Sequence, residues 1–323
     1  MNMVKFMRAY KLCVETCMGV KSGEKVLIIT DLDNMDRAEA LAMASYMADA
    51  EPIILCQPAL EKFSVEPPET ISNSMKASDV ILVALPFLHS AQLFHTQARR
   101  DAIKEGARFA IVQVTPENAE ITKEDILQTK ALTEKISALE GKAEKVRVRT
   151  KKGTDITFSI KGRRPVVISS LLNKPGDSGT IPDFAEAAIS PVEGSAEGIV
   201  VIDGSMNGLE GVAIKDPIVW KVEKGKVVEI EGKEEARMLR EIVQKAGANA
   251  NNIAELGIGT VTRGKIMCQT DDKRLFGTGH IAIGDNRFGG GTVASAIHLD
   301  GIFMNMSVEL DGKIIMEDGV LKI

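Results

Sequence analysis

The chain has 323 residues, a formal net charge of −5, and a composition that is 44% hydrophobic but only 4% aromatic. A chain of this length is expected to form about two domains with sizeable cores. The acidic balance excludes the basic, aromatic-bearing surface typical of nucleic-acid-binding proteins, and it makes an anionic membrane a poor partner.

The cysteine and N-terminal patterns favour a reduced, cytoplasmic protein. The four cysteines, Cys13, Cys17, Cys56 and Cys268, have neither C-x-x-C nor zinc-finger spacing, and we interpret them as buried thiols. Charged residues interrupt the apolar N-terminal stretch, which excludes a signal-peptide core. No apolar run approaches the roughly 20 residues that a membrane span requires.

The first half of the chain alternates helical patterns with short apolar runs. Helices are predicted over 1–20, 35–50, 68–77 and 90–106, and strands over 25–30, 52–56, 79–85 and 108–114. Short β-branched runs that alternate with helices are typical of parallel strands covered on both faces. We therefore predict a doubly wound α/β domain of Rossmann or flavodoxin type, with a mainly parallel sheet.

The turn after the first predicted strand argues against a nucleotide cofactor. It reads Asp31-Leu32-Asp33-Asn34 and contains neither G-x-G-x-x-G nor a P-loop. Its two aspartates would repel phosphate. Further along, His89 and His95 lie six residues apart, which is not a helical-face spacing, so they are not expected to bind one ion together. One of them is a candidate for a domain or subunit interface that faces the functional site.

A different pattern begins after a charged helix predicted over 121–143. From residue 146 onward strand patterns alternate with glycine turns, so we place a boundary near residue 144, between domains at 1–144 and 145–323. Hairpins are predicted around Lys224-Gly225 and Asp311-Gly312, and one long helix over 233–246. The second domain is expected to be α+β, with mainly antiparallel strands.

The stretch 276–304 carries the clearest functional signal. It holds His280 and His298, two of only four histidines, and a run of three glycines at 289–291. His298 and Asp300 alternate on a predicted strand, so an imidazole and a carboxylate point to the same face. A lone histidine is more often a satisfied core or turn residue. Two histidines with an aspartate favour a metal site.

Two upstream glutamates are further candidates. Glu255 stands in the strand-like run NIAELGIGT, where a carboxylate is costly to bury unless it is paired or binds a metal. Glu186 stands in IPDFAEAAISP, between two prolines. The plain alternatives are an exposed strand end for Glu255 and a surface acid for Glu186.

Several segments of the second half resemble the thermophilic aminopeptidase (M29) metallopeptidase family, in matching order and approximate spacing over about residues 150–305. They are TDITFSIKGRR with IPDFAEAAISPVEGSAEGIVVIDG, then NIAELGIGT, GTGHIAIG and SAIHLDGI. The resemblance implies a homodimer that encloses a paired divalent metal centre. The implied ligands are Glu186, Glu255, His280, His298 and Asp300, of which Glu186 requires a one-residue shift in the alignment.

The implied ligand set suits metal-dependent peptide hydrolysis. Nitrogen and oxygen ligands without cysteine are typical of Zn²⁺, Co²⁺ or Mn²⁺. Two such ions that share a bridging acid and a water lower the pKa of that water and stabilise a tetrahedral intermediate. The expected activity is removal of N-terminal residues from peptides, with Glu255 as a candidate general base.

One position departs from the family pattern. The peptidases carry a tyrosine seven residues after the first histidine, whereas this chain has Arg287 there, and its two tyrosines, Tyr10 and Tyr46, lie in the other domain. Arg287 is therefore a candidate to stabilise an oxyanion or to bind a substrate carboxylate. The alternative is a surface arginine in a glycine-rich turn.

Two other functions stay open at the level of sequence. His280, His298 and Asp300 also match the two-histidine, one-carboxylate triad of Fe(II) enzymes. The segment HTQARRDAIKEGAR resembles the ring-cleaving 2,5-dihydroxypyridine dioxygenase branch of the same superfamily, although a mononuclear site does not need both glutamates. The third possibility is a non-catalytic metal-binding protein on the same scaffold.

Overall fold

The computed structural model describes residues 3–58, 66–86, 93–94, 96–209, 214–265 and 270–323. Within them the α-helices are α1 (Met7–Leu12), α2 (Met35–Met47), α3 (Glu69–Lys76), α4 (Gln97–Lys104), α5 (Lys123–Glu140) and α6 (Glu234–Ala246). The strands are β1 (Lys25–Thr30), β2 (Glu51–Cys56), β3 (Val80–Val83), β4 (Arg108–Val112), β5 (Lys145–Arg149), β6 (Asp155–Ser159), β7 (Val166–Ile168), β8 (Ser178–Ile181), β9 (Glu186–Ile189), β10 (Glu197–Ile202), β11 (Ile218–Glu223), β12 (Lys226–Glu231), β13 (Ile253–Gly259), β14 (Thr278–Gly284), β15 (His298–Met304), β16 (Ser307–Leu310), β17 (Lys313–Glu317) and β18 (Val320–Leu321).

The first sheet is parallel, as the apolar runs predict. Its order is β2-β1-β3-β4-β8, and every neighbouring pair is parallel. All residues of β3 and β4 are buried, because a central parallel strand is covered on both faces. β2 lies at the edge and is largely exposed. The α/β architecture predicted for the first half of the chain is therefore observed.

Two antiparallel sheets follow. The second sheet has the order β12-β11-β10-β6-β5-β16-β17-β18, and the third has the order β15-β14-β13-β9-β7. One hydrophobic core contains residues of both sheets, including the fully buried Trp220 and Phe303. The predicted hairpins join β11 to β12 and β16 to β17, where Asp311 and Gly312 both adopt the positive φ that such tight turns require.

The compact units of the chain differ from the predicted division at residue 144. One unit comprises Met1–Lys130 and Ser169–Phe184, and the other comprises Ala131–Ile168 and Ala185–Ile323. The chain thus returns to the first unit once, because β8 pairs in parallel with β4. The segment SGTI of β8 contains only one large apolar residue, so its sequence does not signal a buried parallel strand.

The predictions for the cysteines are confirmed only in part. Cys13 and Cys17 are buried as predicted, but Cys56 is exposed because the edge position of β2 leaves it uncovered. His89, His95 and Cys268 lie outside the described residues. Among the helices that are described, none combines the length and the apolar character needed to cross a bilayer.

Candidate metal centre

Four neighbouring strands of the third sheet, β9, β13, β14 and β15, carry the predicted ligands on one face of that sheet. Residues two apart on a strand point to the same side. On β15, Leu299 and Phe303 pack into the hydrophobic core, whereas His298 and Asp300 point to the opposite face of the sheet. In register with them stand Glu186 on β9, Glu255 on β13 and His280 on β14. The antiparallel pairing therefore brings together residues that lie more than a hundred positions apart.

Small residues on this face provide the space for the ligands. His280 pairs with Gly257 across β13 and β14. A Cβ atom on Gly257 would lie only 1.8 Å from Cε1 of His280, so the imidazole ring covers the glycine directly. Any side chain at position 257 would displace the ring.

The two histidines and two of the carboxylates converge on one small volume. Nε2 of His298 lies 3.0 Å from Oε2 of Glu255 and 3.2 Å from Oδ1 of Asp300. Nε2 of His280 lies 3.6 Å from Oε1 of Glu255 and 4.0 Å from the same Oδ1 of Asp300. Glu186 approaches from the other side, with its Oε2 4.0 Å from Nδ1 of His280. Ligand atoms of Glu186, Glu255 and His280 all lie within 4.8 Å of one another, as in a metal site.

Whether a cation fits the cluster can be judged from its buried polar atoms that have no hydrogen-bond partner. Among the described residues, both ring nitrogens of His280, Oε2 of Glu186 and Oδ1 of Asp300 have none. Buried polar atoms nearly always have a hydrogen-bond partner, and those that have none in the protein commonly contact an ion or a water molecule. The unsatisfied atoms are imidazole nitrogens and carboxylate oxygens that face one another, which is the donor set of Zn²⁺, Mn²⁺ or Fe²⁺ sites. The residues therefore fit a divalent metal ion.

Contacts outside the cluster orient two of the ligands. Nδ1 of His298 lies 2.7 Å from the backbone carbonyl oxygen of Asp285, which can only accept a hydrogen bond. Nδ1 therefore carries the proton, and Nε2 is left to bind a metal. The side-chain amide of Asn207 donates to Oδ2 of Asp300 over 3.2 Å, and this contact directs Oδ1 towards the histidines.

Neighbouring charges within the cluster shift the pKa values of its members. Although burial alone would raise it, the neighbouring His280 and His298 imidazoles lower the pKa of Glu255 to about 2. Burial would lower the pKa of His298, but the Asp300 and Glu255 carboxylates raise it well above its ordinary value. Burial raises the pKa of Glu186, against the opposing effect of Lys273. Because Nε2 of His298 must be free of a proton to bind a metal, metal binding and protonation of Nε2 compete here.

Lys273 is a member of the cluster that the sequence does not reveal. Its Nζ lies 2.9 Å from Oδ2 of Asp300 and 3.3 Å from Oε1 of Glu186, and its side chain is only 16% exposed. Its segment, TDDKRLFGTGH, is rich in charge and glycine and resembles an ordinary solvated turn. Only the contacts of its ammonium group with Glu186 and Asp300 show that the turn lies beside the candidate ligands.

Arg287 lies at the margin of the cluster. It begins a 3₁₀ turn over Arg287–Gly289, its side chain is 62% exposed, and its guanidinium pairs with the Asp285 carboxylate at 2.6 Å. Asp285 in turn holds His298 through its backbone carbonyl. Arg287 is thus connected to the ligands through one intervening residue, and its predicted catalytic role stays a prediction.

The parallel first sheet and the two antiparallel sheets define a protein of mixed α/β and antiparallel architecture, whose buried histidine–carboxylate cluster is a candidate metal site. The family model described as NicX, 2,5-dihydroxypyridine 5,6-dioxygenase, matches residues 5–323. This chain belongs to that family.

Two solved structures share the fold. The structure of 2,5-dihydroxypyridine dioxygenase from Pseudomonas putida KT2440 is 18% identical, with a TM-score of 0.79 over 100% of this chain and 98% of that chain. AmpT from Thermus thermophilus is 15% identical, with a TM-score of 0.70 over 99% of each chain. No curated protein sequence matches this chain. The family model confirms the predicted resemblance to the 2,5-dihydroxypyridine dioxygenase branch, whereas the likeness to AmpT shows a shared fold and leaves the relation to the M29 peptidases a prediction.

Proposed function

We propose that this protein is a metal-dependent hydrolase of the aminopeptidase type, which cleaves N-terminal residues from peptides. The observation that carries the proposal is the convergence of two histidines and three carboxylates at one buried point of the third sheet. The structural similarity to AmpT, an aminopeptidase, supports it. The expectation of a cytoplasmic homodimer, without nucleic-acid or membrane partners, accompanies this proposal as a prediction.

The residues present fit the roles that hydrolysis requires. His280, His298, Asp300 and Glu255 would hold a divalent ion, which when bound supplies an acidified water and a polarised substrate carbonyl. Glu255 lies between both histidines, so its carboxylate is positioned to accept a proton within the centre. Glu186, Glu255, His280 and Asp300 are almost fully buried, and low exposure to water strengthens electrostatic interactions with a developing oxyanion. Arg287 is proposed to bind the substrate from the solvent side.

A second candidate function is ring cleavage by a mononuclear iron enzyme. The specific observation in its favour is the family membership of the whole chain, together with the close approach of His280, His298 and Asp300 as a two-histidine, one-carboxylate set. The chain also has no tyrosine after Tyr46. The buried Glu186 and Glu255 carboxylates favour the hydrolase, because such a triad leaves them without a role.

Metal analysis combined with two activity assays separates the candidates. The protein is purified without chelator, and its metals are quantified by mass spectrometry. Zinc, cobalt or manganese together with hydrolysis of aminoacyl anilides supports the hydrolase. Iron together with oxygen consumption in the presence of 2,5-dihydroxypyridine supports the dioxygenase and overturns the hydrolase. Bound metal without either activity supports the non-catalytic metal-binding protein.

A further inference from the structure

Helix α2 of the first unit lacks the polar outer side that is expected of a surface helix. Its inner side packs into a hydrophobic core through Ala38 and Leu41. On its outer side Met43 is 51% exposed, Tyr46 is 74% exposed and Met47 is 66% exposed. A helix that is apolar on all sides is normally buried, whereas a surface helix carries polar residues on the side that faces water. The outer side of α2 therefore has the character of a surface that a partner covers.

The three exposed side chains form one patch. Residues three and four apart are neighbours on the surface of a helix, so Met43 lies beside both Tyr46 and Met47. Among the described residues α1, α3, α4 and α6 expose no large hydrophobic side chain, and α5 exposes one, Leu127. Single exposed apolar residues are ordinary on a protein surface, but a group of large ones marks a site of interaction.

The charged residues around the patch are mostly acidic. Residues 32–50 include four acids and a single basic residue, Arg37. Glu39 stands one helical turn before the patch on the same side of α2, and Asp33 and Asp49 lie just beyond the two ends of the helix. These three acids are exposed, and no ion pair joins any of them to another described residue. The patch is thus an apolar surface with negative charge at its borders.

The negative charge disfavours two kinds of occupant. Two copies of the chain related by a two-fold axis would bring the same patch together from both sides. The exposed acids of one copy would then face those of the other, and like charges across an interface are unfavourable. An anionic membrane surface would be repelled for the same reason.

The same features fit a basic amphipathic helix. Methionine has a flexible and polarizable side chain, so a surface that contains it adapts to apolar partners of different shape. An amphipathic helix binds such a surface through its apolar side. Lysine and arginine residues at the border of that side would lie beside the exposed acids of the patch.

We propose that the patch formed by Met43, Tyr46 and Met47 binds a basic amphipathic helix of a partner protein. The apolar side of the partner helix packs against the patch, and its basic residues pair with Glu39 and with the acids at the ends of α2. The candidate metal ligands all lie in the other unit, so this inference does not depend on the proposed function.

The test uses the whole chain and a synthetic peptide as the probe. The peptide contains only leucine and lysine, placed on opposite sides of a helix, and it carries a fluorescent label for anisotropy titration. We expect saturable binding to the wild type. Binding to Met43→Ser/Met47→Ser, which has the same net charge, should be at least about 10-fold weaker, because two apolar side chains are removed from the contact.

Two further variants separate the apolar contact from charge. Val228→Ser/Val320→Ser removes two exposed apolar side chains of the other unit and should bind the peptide as the wild type does. Glu39→Gln keeps the size of the side chain and removes one charge. It should weaken binding about 3-fold at low salt and less at high salt, because salt screens exposed charges.

Each outcome has a defined meaning. No binding by the wild type, or equal binding by Met43→Ser/Met47→Ser, would overturn the proposal, as would equal binding of a peptide with the same composition in scrambled order. Sedimentation velocity tests the other occupant. A wild-type dimer that becomes a monomer in the double variant would show that a second copy covers the patch, which also overturns the proposal. If the double variant fails to fold, as judged by circular dichroism, Tyr46→Ser replaces it with the same expected loss.

Discussion

Among the five predicted ligands, His298 is the one that solvent reaches. Its side chain is 32% exposed, whereas those of the other four are at most 6% exposed. Its ring is also held by a hydrogen bond, because Nδ1 donates to the Asp285 carbonyl oxygen and this contact fixes the tautomer. A ligand that is both oriented and accessible can exchange a proton for a metal without opening the core.

We expect His298→Ala to weaken Zn²⁺ binding by at least about 100-fold. Loss of a residue that only hydrogen-bonds to a metal ligand already lowers metal affinity by about 10–100-fold, and loss of a ligand should cost more. Affinity is measured by competition with a chelator of known strength. The fold should persist, because the removed side chain is partly exposed. Unchanged affinity would show that the ligand assignment is incorrect.

Arg287 allows substrate binding to be separated from metal binding. Because its pair with Asp285 is exposed, Arg287→Ala is expected to leave the urea midpoint and the Zn²⁺ affinity unchanged. If Arg287 binds substrate as proposed, kcat/KM falls in the same variant. A variant with wild-type kcat/KM would mean that Arg287 is only a surface arginine.

At the scale of elements, the close pairing of β13 and β14 depends on Gly257. Gly257→Ala places a methyl group 1.8 Å from the His280 ring, so that either the ring or the strand must shift. We expect loss of metal binding and a destabilisation of several kcal/mol, as for other overpacked cores (about 1–3 kcal/mol or more). The control is Gly162→Ala, which has positive φ but open space around its Cβ, and which should cost only about 1–2 kcal/mol with metal binding intact. Retained metal binding in Gly257→Ala would contradict the geometry.

The last residue of α5, Glu140, gives the second unit an intrinsic pH dependence. It is 1% exposed, and its carboxylate has no hydrogen-bond partner within the described residues. Burial, with a contribution from Glu255, raises the pKa of Glu140 from 4.5 to about 8. Between these values the folded protein binds a proton that the unfolded chain has released, so stability falls as pH rises through this window.

We therefore expect the stability difference between wild type and Glu140→Gln to change between pH 5 and pH 8, by up to about 1.4 kcal/mol per pH unit. The wild type loses stability relative to the variant as pH rises, and the difference levels off above about pH 8. Urea unfolding of the metal-free proteins at pH 5, 7 and 9 measures it. A difference that does not depend on pH would mean that Glu140 is solvated or paired.

At the scale of the whole molecule, the parts that the sequence reveals are those with a local signal. β1 follows from KVLIIT and β3 from its fully apolar run, because a buried parallel strand needs only adjacent residues to be recognised. His298 and Asp300 follow from period-two alternation. β8 and the return of the chain to the first unit could not be foreseen, because strand pairing across about 70 residues leaves no mark in a four-residue segment.

The same distinction between local and tertiary signals explains which residues of the candidate site can be predicted from the sequence. The residue pattern and the resemblance together predict five candidate ligands, and the structure places their side chains close to one another, although their binding of a metal stays a prediction. Lys273 was missed, because a lysine in a charged turn is usually solvated and only tertiary packing buries it.

All of these ligands lie in the unit formed by Ala131–Ile168 and Ala185–Ile323, so metal binding should stabilise that unit selectively. Free metal at 100 times its Kd adds about 2.7 kcal/mol to the folded state, which slows hydrogen exchange through global opening of the unit about 100-fold. Hydrogen exchange followed by mass spectrometry, with and without Zn²⁺, should show this protection in β9, β13, β14 and β15. Peptides from β1, β3 and β4 should exchange at unchanged rates, since no predicted ligand lies on them. Equal protection in both units would instead require that metal binding stabilise the molecule as one cooperative whole.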